Sequence, residues 1–91
     1  MNRINKCFES LRENGLKGFI SYIGAGDPDL DATKTLSLRL SESGVDILEL
    51  GIPFSDPLAD GLVNQLAAQR GLKSGTTPEG VLNTVKAIRQ K

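Results

Sequence analysis

The chain has no histidine, no tryptophan, one cysteine and one tyrosine in 91 residues. The missing histidine removes Ser–His and Cys–His nucleophile pairs, and with them the commonest zinc ligand. Acid–base chemistry here must rest on carboxylates, lysines or Tyr22. Cys7 cannot form an internal disulfide and reads as a small apolar residue on a helix face, so a cytoplasmic address is the default expectation. Eleven basic residues balance eleven acidic ones. There is no basic stripe, and no nucleic-acid partner is expected. No apolar run is long enough to span a membrane, and the first ten residues lack the apolar core of a secretory leader; neither is expected. Asp27-Pro-Asp-Leu-Asp31 imitates the start of a calcium loop, but Ala32 stands where that loop needs glycine and Leu38 where it needs glutamate. No metal is expected.

What is present is alternation of helix and strand. Ile4, Cys7, Phe8 and Leu11 recur at helical spacing and predict a short opening helix that stops near Asn14-Gly15. Gly18 to Ile23 reads as a strand, ended by the turn Gly24-Ala-Gly-Asp-Pro28. Asp29 or Asp31 can cap a helix over 30–43, whose Leu36 and Leu40 share a face with Ala32 or Thr33. Ser43-Gly44 ends it, and Val45 opens a second strand through Leu50. Strand, helix and strand within about 35 residues predict a βαβ unit with parallel strands and a right-handed crossover. A helix is expected over Leu62–Lys73, with Leu62 and Leu66 on one face. A last helix is expected after Thr77, with Pro78 at its first position and Val81, Leu82, Val85 and Ile88 facing inward. Gly24-Ala-Gly26 lacks the third glycine of a dinucleotide loop, and Asp27 would repel an anion, so it reads as a turn.

The most informative stretch is Glu49-Leu-Gly-Ile-Pro-Phe-Ser-Asp-Pro-Leu-Ala-Asp-Gly61. Glu49 falls near the end of the second strand, on the same face as Val45 and Ile47 and opposite Leu48 and Leu50. A carboxylate on an apolar strand is costly to bury and needs a reason. A backbone N–H or a basic side chain would supply one. Catalysis would supply another, because a carboxylate walled by apolar groups has a raised pKa and can exchange a proton near neutrality. Asp60, on the loop between Pro57 and Gly61, can stay ionised. Two carboxylates in different environments can divide the roles of acid–base and charge stabiliser.

This 13-residue stretch resembles the signature segment of the tryptophan synthase alpha chain family. Tyr22-Ile-Gly-Ala-Gly-Asp-Pro28 upstream agrees, as do Gln65 and the Arg70 to Pro78 segment downstream. The resemblance implies an α/β fold, the N-terminal βα units of a TIM (β/α)8 barrel: two parallel strands with covering helices, the barrel incomplete in this chain. Such a barrel needs about 250 residues, so residues 1–91 are expected to be one partial domain, with an N-terminal helix, two βα units and an extra helix. It also implies lyase chemistry, the retro-aldol cleavage of indole-3-glycerol phosphate to indole and glyceraldehyde 3-phosphate in tryptophan biosynthesis. Glu49 would do the acid–base work and Asp60 would accept the indole N–H.

Tyr22 would line the indole pocket, or stand as a core-edge tyrosine with its hydroxyl in water. Asn64 would adjoin the same pocket. Pro53, Phe54, Asp56 and Leu58 would meet the family's partner, the tryptophan synthase beta chain, in an α2β2 complex; Asp56 can equally cap the turn before Pro57. No cofactor is implied. Three residues depart from the family pattern: Leu62 replaces a proline, Asn64 an aliphatic residue or threonine, and Gly24 a threonine. None removes a carboxylate of the pair. The alternative is a non-catalytic piece that keeps only the partner-contact loop.

Overall fold

The computed structural model describes residues 2–54 and 60–90. Its elements run α1 (Arg3–Glu13), β1 (Ile20–Gly24), α2 (Leu30–Glu42), β2 (Ile47–Gly51), α3 (Leu62–Lys73) and α4 (Pro78–Arg89). The strands pair in parallel, with Ile20 opposite Ile47, Tyr22 opposite Glu49 and Gly24 opposite Gly51. The expected βαβ unit is therefore present. No helix among the described residues is long and apolar enough to cross a membrane.

Both strands start later than expected, for local reasons. The Phe19 N–H donates to the Asp46 carboxylate at 2.8 Å instead of entering the ladder. The Val45 N–H closes the end of α2 on the Leu40 carbonyl at 3.1 Å, while the Gly44 N–H reaches Ser41. That is a Schellman closure, and it needs the left-handed backbone that Gly44 adopts at φ 108°. α1 and α3 end the same way at Gly15 and Gly75. At the other end of the helices, Asn2, Asp29 and Thr77 cap α1, α2 and α4 through their side-chain oxygens.

The packed faces differ from the apolar stripes. On α2 the buried residues are Thr33 and Ser37, while Leu36 is exposed. Their hydroxyls return to the helix, Thr33 to the Asp29 carbonyl at 2.9 Å and Ser37 to the Thr33 carbonyl at 2.7 Å. Burial then leaves no unsatisfied donor; α4 packs on α2, and Val81 is its buried residue. Leu82, expected inward on α4, is 66% exposed.

α3 likewise seats through small residues rather than through Leu62 and Leu66, both of which are exposed. Ala67 faces Gly24, and buried Gly71 lies against the Ala25 carbonyl and the Pro53 ring. Periodicity marks apolar residues, but close helix contacts are decided by size.

The core is thin. Among the described residues Ala25, Pro53 and Val81 are the buried apolar side chains. Leu48, Leu50 and Ile52 open onto a groove shared with Val81, Leu82, Val85 and Ile88 of α4. On the opposite face Ile20 and Tyr22 are about half exposed, at 48% and 46%. Two parallel strands have both edges free and cannot cover both of their faces.

Candidate active site at the strand ends

Alternation along β1 puts Ile20, Tyr22 and Gly24 on one face; the parallel register puts Ile47, Glu49 and Gly51 on the same face. Tyr22 and Glu49 are direct cross-strand neighbours. The Tyr22 ring leans over Gly51, where a β-carbon would collide with its hydroxyl and ring. Gly51 thus provides the space that sets the ring's position, two residues beyond Glu49.

Glu49 itself is exposed. Among the described residues, the apolar enclosure expected around it reduces to its cross-strand neighbour Tyr22, because two strands supply only part of a barrel wall. Asp60 is partly buried and directly precedes Gly61, the N-cap of α3. Gln65 Nε2 donates to the Asp60 main-chain carbonyl at 2.8 Å, spanning the first turn. Asn64 is exposed on that same turn.

The surface expected to meet a partner divides. Phe54 is 54% exposed, whereas Pro53 is buried with its ring beside Gly71. Within this chain Pro53 is therefore occupied by α3, since the helix descends onto the strand end. Asp56 and Leu58 lie outside the described residues.

Sequence reasoning missed the fastening between α3 and the turn after β1. Arg70 donates from Nε to Asp27 Oδ1 at 2.7 Å and from its terminal nitrogen to Oδ2 at 3.0 Å, a two-pronged pair. The Arg70 hydrogen bonds hold the Asp27 carboxyl below its ordinary pKa. The Ser74 hydroxyl contacts the Gly26 carbonyl at 2.9 Å and Thr76 Oγ1 at 3.0 Å. The Gly26 N–H donates to Thr33 Oγ1 at 2.8 Å. These partners lie as far as 48 positions apart in the chain, so no local spacing announces them. Asp27 and Asp29, whose spacing only imitates the opening of a calcium loop, serve as an ion-pair partner and, as expected for Asp29, a helix cap.

Comparison with known proteins bears on this arrangement. The family profile described as "Tryptophan synthase alpha chain" matches residues 8–91. The chain is 47% identical over 91 residues to the tryptophan synthase alpha chain of Geotalea daltonii, covering all of this chain and 34% of that protein. The Opitutus terrae alpha chain is 50% identical over 90 residues, covering 99% and 34% respectively. The crystal structure of tryptophan synthase subunit alpha from Legionella pneumophila superposes with a TM-score of 0.97 at 47% identity, covering 100% of this chain and 35% of that one. The chain spans about a third of the length of the relatives it matches. Its parallel pair and helices are the opening part of their TIM barrel, unclosed here.

Proposed function

This chain belongs to the tryptophan synthase alpha chain family, and from that premise we propose that it carries the acid–base pair of a lyase cleaving indole-3-glycerol phosphate. In the proposed reaction, Glu49 delivers a proton to C3 of the indole ring, which makes indole a competent leaving group. The Glu49 carboxylate left by that transfer takes the proton of the adjoining glycerol hydroxyl as the C–C bond breaks, and the hydroxyl-bearing carbon becomes the aldehyde of glyceraldehyde 3-phosphate. The bonding pair returns to the ring, giving indole. Asp60 accepts the indole N–H and stabilises the cationic intermediate; Tyr22 walls the ring and Asn64 adjoins it. The observation that carries the reading is the pairing of Tyr22 with Glu49 at the carboxyl ends of parallel strands. In barrels of this kind chemistry gathers at that end.

Residues 1–91 act in this reading as one partial barrel domain of a cytoplasmic biosynthetic enzyme. The substrate's phosphate and the far wall of the pocket fall to the remaining βα units, because barrel phosphate sites usually follow strands seven and eight. The Legionella relative is described as a subunit, and a beta chain is the proposed partner, met in part through exposed Phe54. That exposure also favours the second reading, a piece that contacts the partner without catalysis.

Indole release from indole-3-glycerol phosphate tests the choice. The 91-residue chain should release indole at a negligible rate. The same residues continued into the last two-thirds of the Legionella subunit should restore turnover. A folded chimera that binds a beta chain but releases no indole would favour the partner-contact reading.

A further inference from the structure

We infer that Gln65 and Arg70 are positioning residues that hold Asp60 at the strand ends, with α3 as the rod between them. The inference rests on the role proposed for Asp60 and adds the means by which that residue is placed. At one end of α3, Gln65 Nε2 fixes the Asp60 main-chain carbonyl at 2.8 Å, and this bond is partly buried. The backbone adds to it, since the Gln65 N–H donates to the Gly61 carbonyl at 3.0 Å. Asp60 is thus tied to the first turn by a side chain and by the helix that follows it.

Toward the other end, the fork from Arg70 to Asp27 and the Ser74 contact with the Gly26 carbonyl fasten α3 to the turn that ends β1. Between them, Ala67 and Gly71 seat the helix on Gly24 and the Ala25 carbonyl. β1 also carries Tyr22, whose cross-strand neighbour is Glu49. One continuous set of contacts therefore runs from the Tyr22–Glu49 face through the turn and α3 to Asp60. Neither Gln65 nor Arg70 need touch substrate for this role.

The test uses the 91-residue chain and reads Asp60 directly by NMR. Gln65→Met keeps length and apolar bulk but removes the donor. It should shift the Asp60 carbonyl ¹³C resonance and lower the order parameters of the Asp60 and Gly61 amides from about 0.85 toward about 0.6 or below. The rest of α3 should keep its order. Gln65→Lys, which restores an N–H donor of similar reach, should return both signals most of the way. Arg70→Met should also loosen Asp60, ten positions away, if the fastening is transmitted through the helix.

An Asp60 signal unmoved by Gln65→Met would overturn the inference. So would an Arg70→Met variant that lowers only the urea midpoint and leaves Asp60 ordered. These signals do not depend on turnover, so failure of the lyase reading would leave them in place, and their failure would leave the lyase reading standing.

Discussion

Gly71→Ala is the perturbation whose sign the packing decides most sharply. A β-carbon there would lie 2.9 Å from the Ala25 carbonyl oxygen and 3.2 Å from two carbons of Pro53. The carbonyl cannot easily retreat, because the Ala25 N–H is bonded to the Gly51 carbonyl at 2.9 Å and Ala25 is 1% exposed. Overpacking of this kind costs about 1–3 kcal/mol, against a gain of roughly 0.8–1 kcal/mol from replacing a helical glycine. The net is a loss of about 1 kcal/mol.

Gly80→Ala is the matched control. Its β-carbon would meet the tip of Leu30 at 3.0 Å, a flexible group that can move aside, and the N-cap oxygen of Thr77 at 3.3 Å; crowding of that cap offsets the glycine-replacement gain, so the substitution should be nearly neutral. With a urea dependence of about 1 kcal/mol per molar, the two variants should differ by about 1 M in midpoint. Far-UV circular dichroism during urea unfolding measures this. If Gly71→Ala proved as stable as Gly80→Ala, the close seating of α3 on the β1 end would be refuted.

Gly51→Ala should displace the Tyr22 ring. Because the chain has one tyrosine and no tryptophan, a change in intrinsic fluorescence or its acrylamide quenching reports that ring alone; an unchanged signal would contradict the contact. The Asp27–Arg70 pair should stabilise the fold at neutral pH. With the folded carboxyl lowered by Arg70, that contribution is complete above the unfolded aspartate value of about 3.9 and is lost as pH falls through the folded one. Asp27→Asn should therefore lower the urea midpoint at pH 7 and leave a much smaller difference near pH 2; an equal difference at both would refute the linkage. The isolated chain should release negligible indole, since orientation by the missing walls can account for about 7–11 kcal/mol of a barrier. Turnover approaching that of an intact alpha chain would show those walls dispensable.

The parallel βαβ unit, the Leu62–Lys73 helix and the Thr77–Pro78 start of α4 were legible because each rests on nearest-neighbour chemistry: caps, helix-ending glycines and apolar runs. The acidic loop was legible as a motif and through its resemblance. The buried faces were not. Leu36, Leu66 and Leu82 follow helical spacing yet stand exposed, while Ser37 and Gly71 are buried, since close approach selects small residues and periodicity scores apolar ones. Among the described residues the enclosure expected around Glu49 is also absent, because it needs walls that two strands do not supply. The ties from Gln65 to Asp60 and from Arg70 to Asp27 depend on how α3 turns back on β1. The first spans a loop-to-helix junction and the second joins residues 43 apart.

The central claim is that Glu49 moves the proton while Asp60 holds the ring. The most direct measurement is steady-state indole release by residues 1–91 continued into the rest of the Legionella subunit, for the parent, Glu49→Gln and Asp60→Asn. Removing the proton carrier should lower kcat by about 10²–10⁴ with KM little changed and the fold intact. Asp60→Asn should lower kcat while leaving the proton carrier in place. A Glu49→Gln chimera that is folded and turns over as fast as its parent would contradict the account.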